Sequence, residues 1–182
     1  MAIGVPAVAQ FADRLGTASW FSVVGEELTP PERADAAVYL SSLGLSEISA
    51  TETASWLDAE ACIKATDWNS DWWDTEDRLR QDLLETAEEK FGKTTVLEAL
   101  TGISEQVSDV LHGAAAVAAT RGGVADPGLI RAAAGAATMA CYQAAVAIAA
   151  DLADNNPFLA KYRLFEAGHW PLCVRGAVFY IF

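Results

Sequence analysis

The stretch Ala132–Ala150, AAAGAATMACYQAAVAIAA, decides the fold of this chain. Eleven of its nineteen residues are alanine and none is charged. A helix that is apolar on every side is stable in water only when other elements surround it. We therefore expect this stretch to form a helix that lies inside the protein.

A second Ala-rich helix precedes it. Apolar residues recur at helical spacing from Leu100 to Val117, and the Gly-containing segment 121–125 then turns the chain. Because the connection is short, the two helices should lie antiparallel as a hairpin over 107–154. Small residues at close spacing should form a tight seam between them: Ala132, Gly135, Ala136, Ala140 and Ala144.

A membrane-spanning helix is the alternative interpretation of Ala132–Ala150. Its length is close to the ~20 residues that a span requires. Its composition is unsuitable, because strong insertion depends on Leu, Ile, Phe and Val, and this stretch has no leucine. We expect a core helix and no membrane association.

Capping patterns predict further helices before the hairpin. Thr29–Glu32, Ser49–Glu52 and Thr95–Glu98 each place Ser or Thr three residues before Glu, which is the spacing of a capping box. We expect the second pattern to begin a helix that runs to about Thr66. The third should begin the first helix of the hairpin.

The end of the chain changes character. Asn156-Pro157 favours the start of a last helix, and Leu172–Phe182 is aromatic and β-branched. This predicts a short hairpin turning at Arg175-Gly176, or a single strand. Residues 17–25, TASWFSVVG, are compatible with either a strand or a helical turn.

The predicted fold is therefore mainly α: a single-domain bundle of about seven helices around the Ala-rich antiparallel pair, with a short C-terminal β element. Within the single domain 1–182, residues 1–106 should form an acidic helical layer and 107–154 the hairpin. Residues 155–182 should form a helix followed by a strand or a hairpin.

The net charge of −13 lies entirely in one part of the sequence. Residues 1–106 hold 20 acidic and 7 basic side chains, whereas residues 107–182 hold five of each. Such a field repels nucleic acid and anionic membranes, so neither is an expected partner. It attracts basic proteins, although acidity alone also keeps an apolar protein in solution.

The cysteines and the N-terminal sequence bear on location. Cys62, Cys141 and Cys173 are an odd, widely spaced set, which is typical neither of a disulfide framework nor of a zinc site. The first ten residues, MAIGVPAVAQ, have no basic residue before their apolar stretch. No signal peptide is expected, and the expected location is cytoplasmic.

Motifs for catalysis are missing from the sequence. It contains neither the nucleophile motif G-x-S-x-G nor a Gly-rich phosphate loop. We therefore expect no cofactor and favour a protein that is not an enzyme.

Two carboxylate–histidine pairs are the only metal candidates: Asp109 with His112, and Glu166 with His169. They would share a site if the C-terminal segment folded back onto the long helix. Otherwise His112 pairs with Asp109 on the helix surface, and His169 packs before Trp170.

An aromatic and acidic loop, DWNSDWWD, is the strongest surface candidate. Tryptophan beside carboxylate stacks on sugar rings or binds cationic groups through cation–π contacts. The alternative is that Trp72 and Trp73 anchor the loop to the core. The candidate binding residues are Trp68, Asp71, Trp72, Trp73 and Asp74.

Three functions fit these patterns. The favoured one is a non-catalytic, inhibitor- or immunity-like protein that recognises a basic protein through its acidic helical surface. The alternatives are a small-molecule or metal-binding helical bundle, an enzyme included, and a homo-oligomeric structural protein such as a homodimer. Any site should meet the hairpin at its own polar members, His112, Tyr142 and Gln143.

Overall fold

A computed structural model describes residues 4–151 and 155–182. Over these residues it contains seven helices and a three-stranded sheet, so the predicted mainly helical fold with a C-terminal β element is confirmed. The helices are α1 (Pro6–Leu15), α2 (Pro30–Ser42), α3 (Trp56–Lys64), α4 (Ser70–Phe91), α5 (Lys93–Arg121), α6 (Pro127–Ala149) and α7 (Pro157–Ala167). The strands are β1 (Ser49–Glu52), β2 (Pro171–Arg175) and β3 (Val178–Ile181).

Helices α5 and α6 form the predicted hairpin and make the most extensive contact between any two elements. The chain reverses between them at 122–126, where the Val124 amide donates to the Ala119 carbonyl at 2.8 Å. Helix α6 is long and apolar enough to span a membrane, yet 61% of its most apolar window is buried by the rest of the protein. A core helix meets the same criterion, which agrees with the interpretation as a core element.

The predicted seam is only partly correct. Ala140 and Ala144 are fully buried, but Ala132 and Ala136 are only partly so. Gly135 is exposed, and a Cβ atom added there would meet open space. A strict four-residue row drifts around a helix that has 3.6 residues per turn, so the packed face alternates steps of three and four. That face runs through Ala133, Ala137, Ala140, Ala144 and Ala147.

The helix predicted from Ser49 is wrong. Ser49–Glu52 is strand β1, which pairs in parallel with β3; the Ser49 amide donates to the Ala177 carbonyl at 3.1 Å. The following helix α3 begins instead at Trp56, with Ser55 Oγ accepting from the Asp58 amide. The backbone N–H and C=O groups of this stretch therefore bond to a distant strand, and not within a helix as the capping pattern predicted.

Of the other two capping predictions, the one at Thr29 is correct and the one at Thr95 is wrong. The Glu32 carboxylate accepts from the Thr29 amide at 2.6 Å at the start of α2, as predicted. Helix α5 instead begins at Lys93, directly after Gly92, so Thr95 lies inside its first turn. Gly92 has φ of 83°, a left-handed conformation that glycine adopts readily, and it alone separates α4 from α5.

Residues 17–25 form turns, neither a strand nor a helix. Trp20 and Phe21 in this segment are buried, and the Phe21 ring packs edge-on against Phe165 and Trp170. The segment thus covers one end of the core without regular structure.

The C-terminal hairpin is confirmed, with its turn at Gly176 and Ala177. Its sheet has the order β1-β3-β2 and covers a second apolar core, separate from that of the Ala-rich hairpin. Tyr39, Trp72 and Phe179 belong to this second core, where α2, α4 and the sheet meet. The boundary between the two cores positions the site described below.

Two substitutions on α6 distinguish the packed face from the open one. Ala140→Leu should destabilise the protein by about 1–3 kcal/mol, because Ala140 is 1% exposed and the added volume has no space. Gly135→Ala should stabilise it by about 0.5–1 kcal/mol, because alanine is the better helix former and its Cβ meets nothing. Urea unfolding measures both free energies; equal effects of the two would contradict this packing.

Candidate functional site

A cleft of about 610 Å³ opens between α4, α6, α7 and the start of β2. We call it the Trp cleft, because three tryptophans form one of its walls. Met139, Tyr142 and Gln143 of α6 also line the cleft. The full lining is Trp68, Trp72, Trp73, Glu76, Asp77, Arg80, Ala136, Met139, Tyr142, Gln143, Lys161, Pro171 and Leu172.

The stretch predicted as a loop is one only at Asp67, Trp68 and Asn69, because α4 begins at Ser70 and contains Trp72 and Trp73. This short Trp loop is held in place by the C-terminal hairpin. Asn69 caps α4, since its Oδ1 accepts from the Trp72 amide at 3.0 Å. The Asn69 amide donates to the Val174 carbonyl at 2.8 Å. Arg175 binds the Asp67 carboxylate with two hydrogen bonds of 2.8 and 2.9 Å. These contacts fix the loop against β2 before any ligand is present.

The three indole rings form one cluster, with centroids 5.8 to 6.0 Å apart. The alternative interpretation placed both Trp72 and Trp73 against the core, and it holds only for Trp72, which is buried. Trp73 is 54% exposed and Trp68 is half-buried, so these two offer ring surface to the cleft. Asp71 and Asp74 are exposed and do not line it.

A polar network forms the floor of the Trp cleft. The Trp72 Nε1 group donates to the Tyr39 hydroxyl at 2.6 Å, and that hydroxyl donates to Glu76 Oε1 at 2.7 Å. Lys161 Nζ lies 2.6 Å from the same Glu76 oxygen and 3.5 Å from Gln143 Oε1. Tyr39 of α2 and Lys161 of α7 therefore converge on the carboxylate of Glu76 in α4, and Gln143 of α6 joins the network through Lys161.

The charged groups of this network are buried, which strengthens their hydrogen bonds. The side chains of Lys161 and Glu76 are 13% and 8% exposed. Burial, followed by the Glu76 carboxylate, raises the pKa of Tyr39 well above its ordinary value, so its hydroxyl remains a donor. Lys161 has three N–H donors, and only Glu76 takes one at short distance. The ammonium thus keeps donor capacity for a group bound in the cleft.

The charges that line the Trp cleft balance. Glu76 pairs with Lys161 on the floor, and Asp77 pairs with Arg80 at 2.5 Å. A lining of two acidic and two basic groups gives no net attraction for an ion at this position.

The polar members of the hairpin lie where a site would need them. Tyr142 and Gln143 line the Trp cleft, and Gln143 is buried. His112 and Tyr142 line a second cleft of about 530 Å³ on the outside of the hairpin. The hairpin therefore contributes side chains to both clefts.

The structure does not assemble a metal site from the four ligands that the sequence suggested: Asp109, His112, Glu166 and His169. Within residues 4–151 and 155–182, no three His, Cys, Asp or Glu side chains are placed to hold an ion. His169 is 1% exposed, and its Nε2 lies 3.3 Å from Glu32 of α2. Glu166 accepts from the Tyr162 hydroxyl, while His112 is exposed on α5. The C-terminal segment thus carries His169 to α2 and not to the long helix.

The thiols are unsuited to nucleophilic chemistry. Burial raises the pKa of Cys141 and of Cys173 to about 12. It also raises the pKa of Cys62, against the opposing effect of Arg175. All three cysteines are free and buried, so they remain protonated at neutral pH.

Tyr39, Glu76 and Lys161 are site residues that the sequence patterns did not predict. A local signal existed for the two charged residues. Glu76 follows Trp72 by four residues on α4, and Lys161 lies three residues after Phe158 on α7. Each therefore interrupts an apolar helical face, and a charged residue at such a position indicates a buried ion pair.

The Glu76–Lys161 pair gives a stability prediction. Lys161→Met should lower the free energy of unfolding by about 3 kcal/mol, because it leaves the Glu76 carboxylate buried without its cation. Adding Glu76→Gln should recover part of the loss, since the amide carbonyl still accepts from Tyr39. Chemical denaturation of Lys161→Met, Glu76→Gln and the double variant tests this; a loss of stability in the double variant equal to the sum of the two single losses would contradict the coupling.

Comparisons with known proteins leave the site to be interpreted from its own geometry. No protein-family model matches this chain, and no significant match is found among curated proteins or solved structures. No family is therefore assigned.

Proposed function

We propose that the protein binds a small organic molecule with a flat ring, and that the Trp cleft is the binding site. The observation that carries this proposal is a cleft of about 610 Å³ with tryptophans on one wall and a buried ion pair on its floor. Ligand sites typically enclose about 300–1,000 Å³ and combine apolar walls with a few fixed polar groups. The site is built from α4, α6, α7 and the C-terminal β-hairpin, so it is formed without a ligand.

The walls favour a ring. Trp68 and Trp73 present aromatic surface at the rim, and Tyr142 also lines the cleft. Aromatic pairs are worth about 0.5–1.5 kcal/mol beyond the area that they bury. Met139 and Leu172 add apolar contact, and methionine adapts its shape to an irregular partner.

The floor supplies orientation. Beyond its short bond to Glu76 and its longer contact with Gln143, Lys161 has a third N–H donor that matches a carbonyl or hydroxyl oxygen on the ligand. Because the charges of the lining balance, the part of the ligand that lies in the Trp cleft should be uncharged. Glu76 accepts from both Tyr39 and Lys161, so the carboxylate is committed to the structure and a non-catalytic role is favoured.

Recognition of a basic protein is the second candidate. Trp73, Asp71 and Asp74 are exposed together at the start of α4, beside the mouth of the cleft. An aromatic ring flanked by carboxylates suits a Lys or Arg side chain. Such a complex should weaken as salt is added, whereas binding of a neutral ring should not depend on salt.

Dansylamide, an uncharged aromatic probe, tests the first candidate. Trp73→Ala should weaken its binding about tenfold, as the loss of a large aromatic contact of about 1.4 kcal/mol implies. Energy transfer from tryptophan to the dansyl group measures the dissociation constant. Leu57→Ala is the matched control, because Leu57 is 74% exposed on α3 and does not line the cleft. Binding that Trp73→Ala leaves unchanged would exclude the Trp cleft as the site.

A further inference from the structure

The second cleft continues the Trp cleft along the outside of the hairpin. It holds about 530 Å³ between α5 and α6, and we call it the α5–α6 groove. Met139 and Tyr142 line both spaces, so the two meet at these side chains. A ligand that enters one cleft can therefore extend into the other.

The α5–α6 groove differs from the Trp cleft in charge. Among the residues described, those that line it include His112 and Arg131 but no carboxylate. No ion pair involving either residue is found within 4–151 and 155–182, and both are exposed. Asp109 follows the groove residue Ser108 in the sequence, but it is exposed and does not line the groove. Arg131 therefore offers its guanidinium to an anion in a groove whose lining adds no carboxylate.

The antiparallel helices put the two basic groups at one end of the groove. Ser104 and His112 are the first and last residues of α5 that line the groove, and Arg131 and Tyr142 are the first and last of the antiparallel α6, so His112 and Arg131 lie toward one end and Ser104 and Tyr142 toward the other. At 1.5 Å per residue, Ser104 and His112 are roughly 12 Å apart along α5, and Tyr142 and Arg131 are roughly 16 Å apart along α6. Met139, which lines both spaces, is roughly 12 Å from Arg131 along α6, and that is the distance between an anion at Arg131 and the shared boundary of the two clefts.

Gly135 leaves open space between the two ends of the α5–α6 groove. It lies between Arg131 and Tyr142 on the same face of α6, and a Cβ atom there would meet nothing within 4 Å. Ala134 and Met139 flank it, so the passage offers apolar surface to a chain. Gly135 therefore keeps space along the route that joins the two ends.

We propose that the ligand of the Trp cleft is an elongated organic anion whose apolar chain runs along the α5–α6 groove to a carboxylate bound by Arg131 and His112. This rests on the proposed function, and it names the class of the ligand. The planar guanidinium fork matches a carboxylate with two parallel hydrogen bonds. An extended chain advances roughly 1.3 Å per carbon–carbon bond, so about ten bonds span the groove.

Three probes with the same fluorophore separate the two clefts. Dansylaminoundecanoic acid carries a ring, a chain of the required length and a terminal carboxylate; its methyl ester lacks only the charge. Dansylamide carries the ring alone. The acid should bind about tenfold more tightly than either of the others. Arg131→Ala should abolish that advantage, whereas Arg78→Ala, which removes an exposed arginine of α4 outside both clefts, should preserve it.

A blocking substitution tests the route of the chain. Gly135→Leu should reduce the affinity for the acid to that of dansylamide, without lowering the melting temperature, because the added side chain meets no protein atom at its Cβ. Gly113→Leu is the matched control. Gly113 is also an exposed helical glycine with open space at its Cβ, but it lies on α5 and does not line the groove.

The outcomes separate the two proposals. Equal affinities for the acid, the ester and dansylamide, all weakened by Trp73→Ala, would overturn the anion subsite and leave the Trp cleft as the binding site. Affinities for all three probes that Trp73→Ala leaves unchanged would overturn the proposed function itself. Loss of the acid's advantage in both Arg131→Ala and Gly135→Leu, with both controls unaffected, supports the elongated anion.

Discussion

Alanine has little side chain to bury, so a helix made largely of alanine depends on being enclosed on several sides. Helix α6 meets this condition, because α1, α4, α5 and α7 all pack against it. The small side chains let these neighbours approach closely, and α6 thereby sets the positions of α4 and α7. Those two helices carry Glu76 and Lys161, which meet beside α6 at the floor of the Trp cleft. The cleft is in this sense a consequence of how α6 is surrounded.

The polar floor complements that packing. Apolar contacts are tolerant of small displacements, whereas hydrogen bonds fix distances and directions. Tyr39, Glu76 and Lys161 join α2, α4 and α7 through a single carboxylate oxygen. The Trp loop is tied separately to the C-terminal hairpin through Asn69. The walls and the floor of the cleft are thus held by different parts of the chain, and neither relies on the ligand.

Local patterns allowed much of this fold to be predicted. The Ala-rich hairpin, the start of α2 and the C-terminal hairpin all follow from residues that are neighbours in sequence. Strand β1 could not be predicted, because its partner lies at the other end of the chain. The ion pair on the floor was missed for a related reason: Glu76 and Lys161 each interrupt an apolar helical face, but they are 85 residues apart, so the sequence does not show that they pair. The tryptophans were recognised, but only the fold separates Trp73 at the rim from the buried Trp72.

The parallel pairing of β1 with β3 has a consequence for synthesis of the chain. Thr53 bonds to Ile181 across 128 residues, so β1 emerges from the ribosome long before its partner exists. Until then its hydrogen-bonding edge, the second core around Tyr39 and the contacts of Asn69 to the hairpin all remain open. Closing so long a loop is entropically costly and slow. The nascent protein therefore carries an exposed strand edge, of the kind that chaperones protect, until β3 has been synthesised.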